Sequence, residues 1–536
     1  MKSTSLLSRR SFLNTSSSLA LLTALGTLTD IPLVIRRALA DGTIGKPGPN
    51  GRVKKLLFVF LRGANDGLNA LIPYGDTAYS ASIRPTLYIP TDPANPPTAT
   101  GPALFPAQGA AGATFGYQYG LPLGNGFAGL HPSLKFLAPV FNDKQLALVH
   151  RVAYPQQSRS HFDSQAYWET AVPGNNLVRE GVLYRAMVES GLANTSPLTG
   201  VSFQSSLPLI LRGSRAAMTN LSDPTRYGLL GVPNTTASKE KFISFLKQID
   251  QADFPDRQDR ELLALQYQNL ENTMDLFSSL DFSETGNTFV DNIATDGDQP
   301  YYLFPTANNK NGGYFAGQKT SKYVVPTSSY AYFKQLKSAA IVLNKTDAIV
   351  AGTQIDGWDL HGNQADTLDA AAGKGPHTGA HANLLRQVGW SMYALQKYFQ
   401  NYTDKCHWED LVVVTLSEFG RTTIENSNNG TDHAEASAMF VAGGSVRGGV
   451  YNCGPSDPIP WVTGPNGTMF KATGRYLQRA TDYRSVLGEL IKKHLGATGT
   501  QVSRIIPGYA DPSQNLAAGG IQPQDHLKVT GELNLV

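Results

Sequence analysis

The sequence predicts an α/β fold: a three-layer sandwich with a mostly parallel central sheet and long loop insertions. Short apolar runs that indicate buried strands alternate with amphipathic helical patterns along the chain. The runs "KKLLFVF" (54–60) and "LVVVTL" (411–416) lack the apolar–polar alternation of a half-exposed strand. Strands covered by helices on both faces have this continuous apolar character. A content of 52 Gly and 32 Pro accounts for the long loops between them.

The composition is that of a large globular protein. Of its 536 residues, 41% are hydrophobic, which is enough for one large domain or for two or three smaller ones. The net charge of +3 and the lack of any run of Lys or Arg argue against a nucleic-acid partner. We expect one α/β domain over residues 53–510, with insertions near 75–128 and 214–330. A linker at 41–52 would precede it and a tail at 511–536 would follow it.

The N-terminus has the features of a twin-arginine export signal over residues 1–40. Arg9 and Arg10 precede a mildly apolar stretch that ends in Ala-Leu-Ala, with cleavage expected near Ala40. An uncleaved anchor is the weaker alternative, because Thr, Ser and Asp30 interrupt the stretch. We therefore expect a periplasmic or secreted protein with no stable membrane span, and the twin-arginine translocase as its partner during export. This pathway carries folded proteins, which suits a chain that acquires a metal before export.

The two cysteines leave two alternatives open. In an oxidising compartment, Cys406 and Cys453 would either pair or remain separate buried thiols. Two cysteines are too few for a cysteine-based metal site.

The predicted elements follow in chain order. Strands are predicted at 54–61, 145–152, 207–213, near 350, at 411–416 and at 438–442. Helices are predicted at 132–141, from 158 onward, and at 238–281, 329–345, 379–402 and 482–495. Residues 282–328 are polar and are expected to form a loop.

Polar side chains collect directly after four of the predicted strands. In chain order the groups are Arg62, Asn65 and Asp66; Ser158, Ser160, His161 and Asp163; Asp356, Asp359 and His361; and Glu418 and Arg421, followed by Asp432 and His433. The carboxyl ends of parallel strands meet at one edge of a sheet, so these groups are expected to converge. Converging carboxylates repel each other, and a divalent cation would relieve that repulsion. Mixed carboxylate and imidazole ligands suit Zn²⁺, Mn²⁺ or Fe better than Ca²⁺.

Each group also has a purely structural interpretation. Asp66 beside Gly67 could be a turn residue, and Ser160 could be a helix N-cap. Glu418 and Arg421 could form an internal ion pair. The joint pattern is more informative than any one of its members.

His377 and His381 have the i, i+4 spacing of metal ligands on a helix. Gly375, Pro376 and Gly379 argue against a helix at this point. We therefore expect a surface loop here rather than a second metal site.

Five motifs carry a resemblance to a known family: "FVFLRGANDGLN", "SRSHFDSQAYWE", "DGWDLHGNQ", "VVVTLSEFGRT" and "GTDHAEASAMFVAGG". Together with the twin-arginine leader they resemble the secreted bacterial family known as domain of unknown function 1501, over about residues 52–500. The Ser-Glu-Phe-Gly-Arg stretch followed by Asp-His is the most specific of these signatures. That family is grouped with the alkaline-phosphatase-like, sulfatase-like superfamily, so the resemblance implies an alkaline-phosphatase-like fold with metals at the strand ends. The family has no settled activity, and any mechanism comes from the wider superfamily.

The resemblance implies ligand and nucleophile roles at matching positions. Asp66 matches a ligand after the first strand, and Ser160 matches the nucleophile that opens a helix, with Ser158 as the alternative. Asp359 matches a ligand whose histidine partner, His361, stands at shorter spacing than in the superfamily.

The remaining positions depart from the superfamily in part. Glu418–Phe419 stands where an Asp-His pair is expected, so one imidazole is missing. His433 matches the histidine that closes the site. Either His161 replaces the missing imidazole or one metal position is empty.

The resulting hypothesis is an exported metal-dependent hydrolase of phosphate or sulfate esters, either small or polymer-linked. One or two divalent ions, Zn or Mn, would be held by Asp359, His361 and His433, and by Asp66 and Glu418 with His161 as a further candidate. Ser160 would attack, Arg421 or Arg62 would clamp the ester oxygens, and Asp432 would orient His433 or add a ligand. The alternatives are a catalytically inactive binding or structural protein on the same fold and, more weakly, a mutase or phosphoglycan transferase.

Overall fold

A nine-stranded sheet lies at the centre of the computed structural model. The structure describes residues 43–96, 101–103, 118–192, 198–216, 218–223, 272–283, 289–296, 299–307 and 325–536, with a few positions between 235 and 248. Its strands, in chain order, are β1 Lys55–Leu61, β2 Leu71–Ile72, β3 Leu121–Pro122, β4 Gly129–Leu130, β5 Leu146–Ala153, β6 Gly200–Ser202, β7 Thr219–Asn220, β8 Val290–Asp296, β9 Gln299–Tyr302, β10 Val350–Ile355, β11 Leu411–Leu416, β12 Ser437–Ala442, β13 Gly449–Tyr451, β14 Thr481–Asp482, β15 Gly520–Ile521 and β16 Lys528–Val529. Its α-helices are α1 Gly67–Ala70, α2 Leu137–Asn142, α3 His161–Thr170, α4 Val182–Ser190, α5 Tyr330–Lys345, α6 Ala380–Asn401, α7 Tyr483–Glu489 and α8 Gly499–Ile505.

The central sheet is mixed but mostly parallel, as the sequence predicts. Its strand order is β13–β5–β12–β11–β1–β10–β6–β7, and β14 pairs with β5 at one end. Strand β12 runs antiparallel to both of its neighbours, β11 and β5, while the other described pairings of this sheet are parallel.

Helices cover the sheet on both faces. Strand β1 shows this directly, because Leu57 and Val59 belong to one apolar cluster and Leu56 and Phe58 to the other. Helices α2, α5 and α6 pack on the first face, and helices α4, α7 and α8 on the second. Successive side chains of a strand point to opposite faces, so a strand buried on both faces must be apolar throughout. The three-layer α/β architecture therefore follows from the continuous apolar runs.

One edge of the sheet gathers the polar groups that follow the strands. The parallel strands β5, β11, β1 and β10 end at this edge, and the antiparallel strand β12 begins there. These five strands are neighbours, so the segments that leave or enter them lie next to one another.

Two predictions around the sheet are wrong in detail. The strand predicted at 207–213 is a single 3₁₀ turn at Leu209–Leu211, and the strand in this region is β6. Pro208 has no N–H for a ladder, and the N–H of Ile210 donates to the Glu169 carboxylate at 2.7 Å instead. The helix predicted at 132–141 is divided into a 3₁₀ turn, Pro132–Leu134, and the short helix α2.

Two predicted loops also contain regular structure. Strands β8 and β9 form a two-stranded hairpin inside the region 282–328. His377 and His381 are buried, and His381 lies in the first turn of α6. In the sequence, Gly379 argues against a helix. Gly379 instead precedes the first turn with φ 101°, a conformation that glycine adopts readily, and the helix begins directly after it.

Several predictions fall outside the described residues. They include the export signal at 1–40, most of the helix predicted at 238–281, and much of the two insertions. The part of the second insertion at 272–278 is helical, as predicted. Among the helices in the described part of the chain, none combines the length and apolar character needed to cross a bilayer. All described residues fall within one compact unit, Gly42–Val536.

The cysteines are separate buried thiols. Cys406 and Cys453 are both free and fully buried. Burial raises the pKa of Cys406 to about 12 and raises that of Cys453 well above its ordinary value. Neither thiol is therefore a reactive nucleophile in the folded protein.

Candidate metal centre

Four side chains from three segments meet at the polar edge of the sheet. His161 opens helix α3 after strand β5, Asp359 and His361 follow strand β10, and His433 precedes strand β12. The Nε2 atom of His433 lies 3.0 Å from Nε2 of His161 and 2.9 Å from Nε2 of His361. Oδ1 of Asp359 lies 3.0 Å from Nε2 of His361 and 3.4 Å from Nε2 of each of the other two histidines. Nε2 of His433 and Oδ1 of Asp359 are thus close to each other and to Nε2 of both remaining histidines.

Two of the histidines are oriented from behind by carboxylates. Nδ1 of His161 lies 2.9 Å from Oε1 of Glu418, and Nδ1 of His361 lies 3.0 Å from Oδ1 of Asp432. Ionised carboxylates only accept hydrogen bonds, so both Nδ1 atoms carry the proton and donate. In the neutral ring this leaves Nε2 of each histidine, on the opposite side of the ring, with a lone pair free to bind a cation.

The third histidine is oriented by the backbone. Nδ1 of His433 lies 2.8 Å from the carbonyl oxygen of Arg159, which also only accepts. All three imidazoles therefore have the tautomer that a metal ligand needs, with Nδ1–H bonded outward and Nε2 free.

A shared cation would satisfy the contacts among the Nε2 atoms. Nε2 of His433 faces two other Nε2 atoms and Asp359, and one proton on His433 could serve only one of these acceptors. In a tetrahedral zinc site with bonds near 2.0–2.1 Å, ligand atoms lie about 3.3 Å apart. Five of the spacings among these four atoms run from 2.9 to 3.4 Å. The donor set and its geometry therefore fit a divalent cation, and the ligand atoms of His161, Asp359 and His433 all lie within 4.8 Å of one another.

The charges around the cluster favour an ionised Asp359. Burial alone would raise its pKa, but the hydrogen bond and the charge of Arg421 outweigh burial and lower the pKa to about 2. The pKa of His433 is lowered, first by burial and then by the charge of Arg421. The hydrogen bond to Glu418 raises the pKa of His161. At neutral pH the cluster thus combines an anionic ligand with imidazoles held in a fixed orientation.

Arg421 lies at the cluster but faces mostly backbone. Its Nη2 donates to Oδ1 of Asp359 at 2.6 Å, and its Nη1 lies 3.5 Å from Nε2 of His361. Its guanidinium is buried and also donates to four backbone carbonyls, those of Gly63, Ala64, Trp358 and Thr431. These bonds tie together the loops that follow β1, β10 and β11. The geometry thus favours a positioning role for Arg421 over the predicted role as an oxyanion clamp.

Gly63 makes the close approach of these loops possible. Its φ is +112°, and a Cβ at this position would lie 2.5 Å from the backbone nitrogen of Asp359. Its N–H donates to Oε1 of Glu418 at 2.8 Å, and its carbonyl accepts from Arg421. A side chain here would push the β1 loop away from Asp359.

Glu418 stands behind the cluster rather than in it. It is fully buried, and its Oε1 accepts from the side chains of His161 and Gln165 and from the N–H of Gly63. Burial would raise its pKa, but the hydrogen bonds, that of His161 foremost, lower it. Glu418 is therefore an orienting carboxylate in this geometry.

The structure does not bring Asp66 or Arg62 into the cluster. Asp66 is buried and forms an ion pair with Arg84 at 2.6 Å, and it also accepts from Gln364 at 2.7 Å. Arg62 pairs with Glu169 at 2.6 Å. The described contacts of both side chains are thus made with other protein groups, and a second metal at Asp66 remains only a prediction.

Ser160 lies next to the cluster in the chain. It is the N-cap of α3, and its Oγ accepts from the N–H of Asp163 at 3.4 Å. Oγ of Ser158, the alternative nucleophile, accepts from the N–H of Ser160 at 3.2 Å. Ser160 therefore acts as a helix N-cap, as its structural interpretation predicts. A cap position is also compatible with an activated hydroxyl.

Sequence reasoning missed three groups that support the ligands. Asn426 donates to Asp432 at 2.9 Å and Gln165 donates to Glu418 at 2.9 Å, while Arg159 contributes only its carbonyl. A backbone acceptor leaves no signal in the sequence. The position of Gln165, one helical turn after His161, was the one available clue.

The fold and this site together define an α/β protein with a candidate metal centre at the edge of its sheet. Residues 335–460 match the model of the family described as "Protein of unknown function (DUF1501)", which supports the resemblance predicted from the sequence. The matched segment includes Asp359, His361, Glu418 and His433, and His161 precedes it. No curated protein matches the chain.

Proposed function

We propose that the protein is an exported hydrolase of phosphate or sulfate esters that uses one divalent ion, Zn or Mn. The ligands would be His161, Asp359 and His433, and the fourth position, beside His361, would be open to water or substrate. The observation that carries the proposal is the convergence of Nε2 of His161, Nε2 of His433 and Oδ1 of Asp359 at 3.0–3.4 Å, both imidazoles being held through Nδ1 by an acceptor behind them. Such outer partners are typical of metal-binding histidines.

The exposure of the site supports catalysis over a structural role for the ion. The side chains of Asp359 and His361 are 47% and 45% exposed. Structural zinc sites are closed by four protein ligands, whereas catalytic sites leave room for water or substrate. An ester could approach this centre from the side of Asp359 and His361.

The chain's own groups would then act as follows. A divalent ion held there would polarise an ester oxygen and lower the pKa of a bound hydroxyl. Ser160, directly before His161, would attack the phosphorus or sulfur atom through its hydroxyl oxygen and lose its proton to solvent, while the alcohol of the ester leaves with a proton from water. Water would then cleave the phosphate or sulfate ester of Ser160. Arg421 would hold Asp359 ionised and in place, and Glu418 would keep the lone pair of His161 directed at the ion.

A single ion agrees better with the contacts than the predicted pair. The second position was assigned to Asp66 and Glu418, with His161 as a further candidate. Asp66 already neutralises Arg84, and Glu418 accepts the proton of His161. Moving Asp66 onto a second ion would leave the buried Arg84 without its carboxylate partner.

One observation favours the rival, a catalytically inactive binding protein on the same fold. The guanidinium of Arg421 shares the Oδ1 atom of Asp359 with the candidate ion, at 2.6 Å. This fixed cation would weaken the attraction of Asp359 for a metal. Metal content and ester hydrolysis therefore distinguish the proposed hydrolase from this rival.

The test is metal analysis of exported protein followed by an aryl-ester panel. We expect about one equivalent of transition metal in the wild type, its loss in His433→Ala, and its retention in the control His526→Asn, an exposed histidine outside the cluster. Hydrolysis of an aryl phosphate or sulfate should be lost in His433→Ala, which removes a metal ligand, and reduced at least 100-fold in Ser160→Ala, which removes the attacking hydroxyl.

Each negative result has a defined meaning. Metal-free wild type would overturn the metal centre and favour the rival. Bound metal with no activity on either ester class would overturn the hydrolase while leaving the metal centre in place. Bound metal with activity that Ser160→Ala leaves unchanged would exclude Ser160 as the nucleophile.

A further inference from the structure

Two arginines beside the metal centre approach the same tyrosine ring. Nη1 of Arg159 donates to the hydroxyl of Tyr476 at 2.9 Å, and its guanidinium carbon lies 5.3 Å from the centre of the ring. The guanidinium of Arg475 also lies 5.3 Å from the centre of that ring. Tyr476 is buried, while both arginines are exposed. The tyrosine therefore holds two like charges at fixed positions on the surface.

These two charges are not neutralised by an ion pair in the described part of the chain. The salt bridges among the described residues involve neither Arg159 nor Arg475. The facing groups are Glu435, which interacts electrostatically with Arg159, and Arg479. Arg479 is already paired with Asp525 at 3.0 Å. An anion bound at the two exposed guanidinium groups would relieve their repulsion, and planar guanidinium groups suit phosphate and sulfate oxygens.

The pair is linked directly to the metal centre. The carbonyl of Arg159 accepts from Nδ1 of the ligand His433 at 2.8 Å, and Arg159 directly precedes Ser160. The side chain of Arg159 therefore begins beside the ligand His433. One extended substrate could therefore reach both places.

We propose that Arg159 and Arg475 form a subsite for a second acidic group of the substrate, which would select esters bearing another anion beside the reacting group. The identity of the reacting ester rests on the proposed function, whereas anion binding at the subsite depends only on the two arginines. Both a small dianion and a repeat unit of an acidic polymer have this chemistry.

Calorimetric titration at fixed ionic strength tests the subsite without turnover. A short linear polyphosphate would be compared with orthophosphate, which is too small to reach both places. We expect the affinity for polyphosphate to fall at least tenfold in Arg159→Gln and in Arg475→Gln, and to weaken as salt is raised. Arg159→Lys should retain part of it. The control is Arg447→Gln, an exposed arginine between β12 and β13 at the opposite edge of the sheet, which should match the wild type.

The outcomes separate this proposal from the proposed function. An unchanged affinity for polyphosphate in a folded, metal-loaded Arg159→Gln protein would overturn the subsite, whether or not the protein hydrolyses esters. A loss in that variant supports the subsite even if no ester is turned over. Sulfated dextran, compared with neutral dextran, then distinguishes an acidic polymer from a small dianion by its dependence on the same two arginines.

Discussion

At the scale of single residues, each metal-facing histidine depends on one acceptor behind it. Glu418 is the most deeply buried of these acceptors. Glu418→Gln keeps the size of the side chain but replaces the charge that fixes the tautomer of His161, so we expect metal affinity to fall roughly 10- to 100-fold. Competition with a chelator of known affinity measures the change.

The control for this prediction lies at the other end of the same strand. Glu409 is exposed and precedes β11, so Glu409→Gln should bind metal as the wild type does. Wild-type metal affinity in Glu418→Gln would mean that this carboxylate does not orient His161.

Asp66 provides a second prediction, because its ion pair and its predicted role as a ligand have different consequences. If it neutralises the buried Arg84, Asp66→Asn should lower the unfolding free energy by roughly 3–5 kcal/mol and leave the metal content unchanged. A second metal at Asp66 would instead be revealed by the loss of one equivalent of metal. Asp356→Asn, an exposed change after β10, is the control.

The same pair gives a pH dependence with a defined sign. Burial would raise the pKa of Asp66, but the charge of Arg84 outweighs burial and lowers it. A lowered folded pKa stabilises the protein above the ordinary carboxyl pKa of about 4, and this stability is lost as the pH falls through the folded value. The difference in melting temperature between wild type and Asp66→Asn should therefore be constant at neutral pH and shrink below about pH 4.

At the scale of elements, a buried lysine joins the sheet to helix α5. Lys55, at the start of β1, donates through Nζ to the carbonyls of Leu343 and Thr346 at 2.6 and 2.7 Å, at the C-terminal end of that helix. Burial lowers its pKa, but the last carbonyls of a helix attract a cation. Lys55→Met should lower the unfolding free energy by roughly 2–4 kcal/mol, because it leaves buried carbonyls without a donor.

A matched lysine at the same end of the helix provides the control. Lys345 pairs with Asp404 at the surface, with both side chains nearly half exposed, so Lys345→Met should change stability by less than about 1 kcal/mol. Denaturant midpoints measure both variants. Equal effects of the two substitutions would show that the bonds of Lys55 do not anchor the helix.

The elements also show how far the sequence could predict this fold. Strand 411–416 and the helix at 379–402 were predicted almost to the residue, because burial on one or both faces leaves a strong apolar period. The segment 207–213 failed, because Glu169, distant in sequence, takes the N–H that a strand would use. Local pattern carries no information about such a partner.

The position of the candidate site was predictable from the sequence. Which side chains would contact the cation, and which support those side chains, was not. The convergence of strand ends follows from parallel topology, so the meeting of Asp359, His361 and His433 was expected. Which carboxylate would contact the cation and which supports a histidine depends on side-chain direction. The sequence predicted Glu418 as a ligand and Asp432 as the partner of His433 or an extra ligand, whereas Glu418 contacts His161 and Asp432 contacts His361. The ion pair of Asp66 involves Arg84, in a Pro-rich stretch without a recognisable pattern.

At the scale of the whole molecule, the last residues of the chain are packed into the fold. Leu535 is fully buried in the apolar cluster on the α7 face of the sheet. The carboxylate of Glu489, at the end of α7, is buried and accepts from the N–H groups of Leu533, Asn534 and Val536 at 2.7–3.4 Å. The C-terminal residues thus close the core and satisfy a buried charge at the same time.

Deleting residues 533–536 should therefore destabilise the whole unit. Exposing the site of Leu535 and removing the donors to Glu489 should together cost about 3 kcal/mol or more, measured as a fall in the denaturant midpoint. After the deletion Glu489 keeps Lys493 at 3.3 Å but has lost its backbone donors. Adding Glu489→Leu removes this partly unpaired charge and should recover part of the loss, whereas Glu489→Leu alone should destabilise the full-length chain. If the deletion leaves the midpoint unchanged, these residues are not part of the cooperative fold. If the double variant recovers none of the lost stability, the loss comes from the apolar contacts of Leu535, and the carboxylate of Glu489 contributes nothing to it.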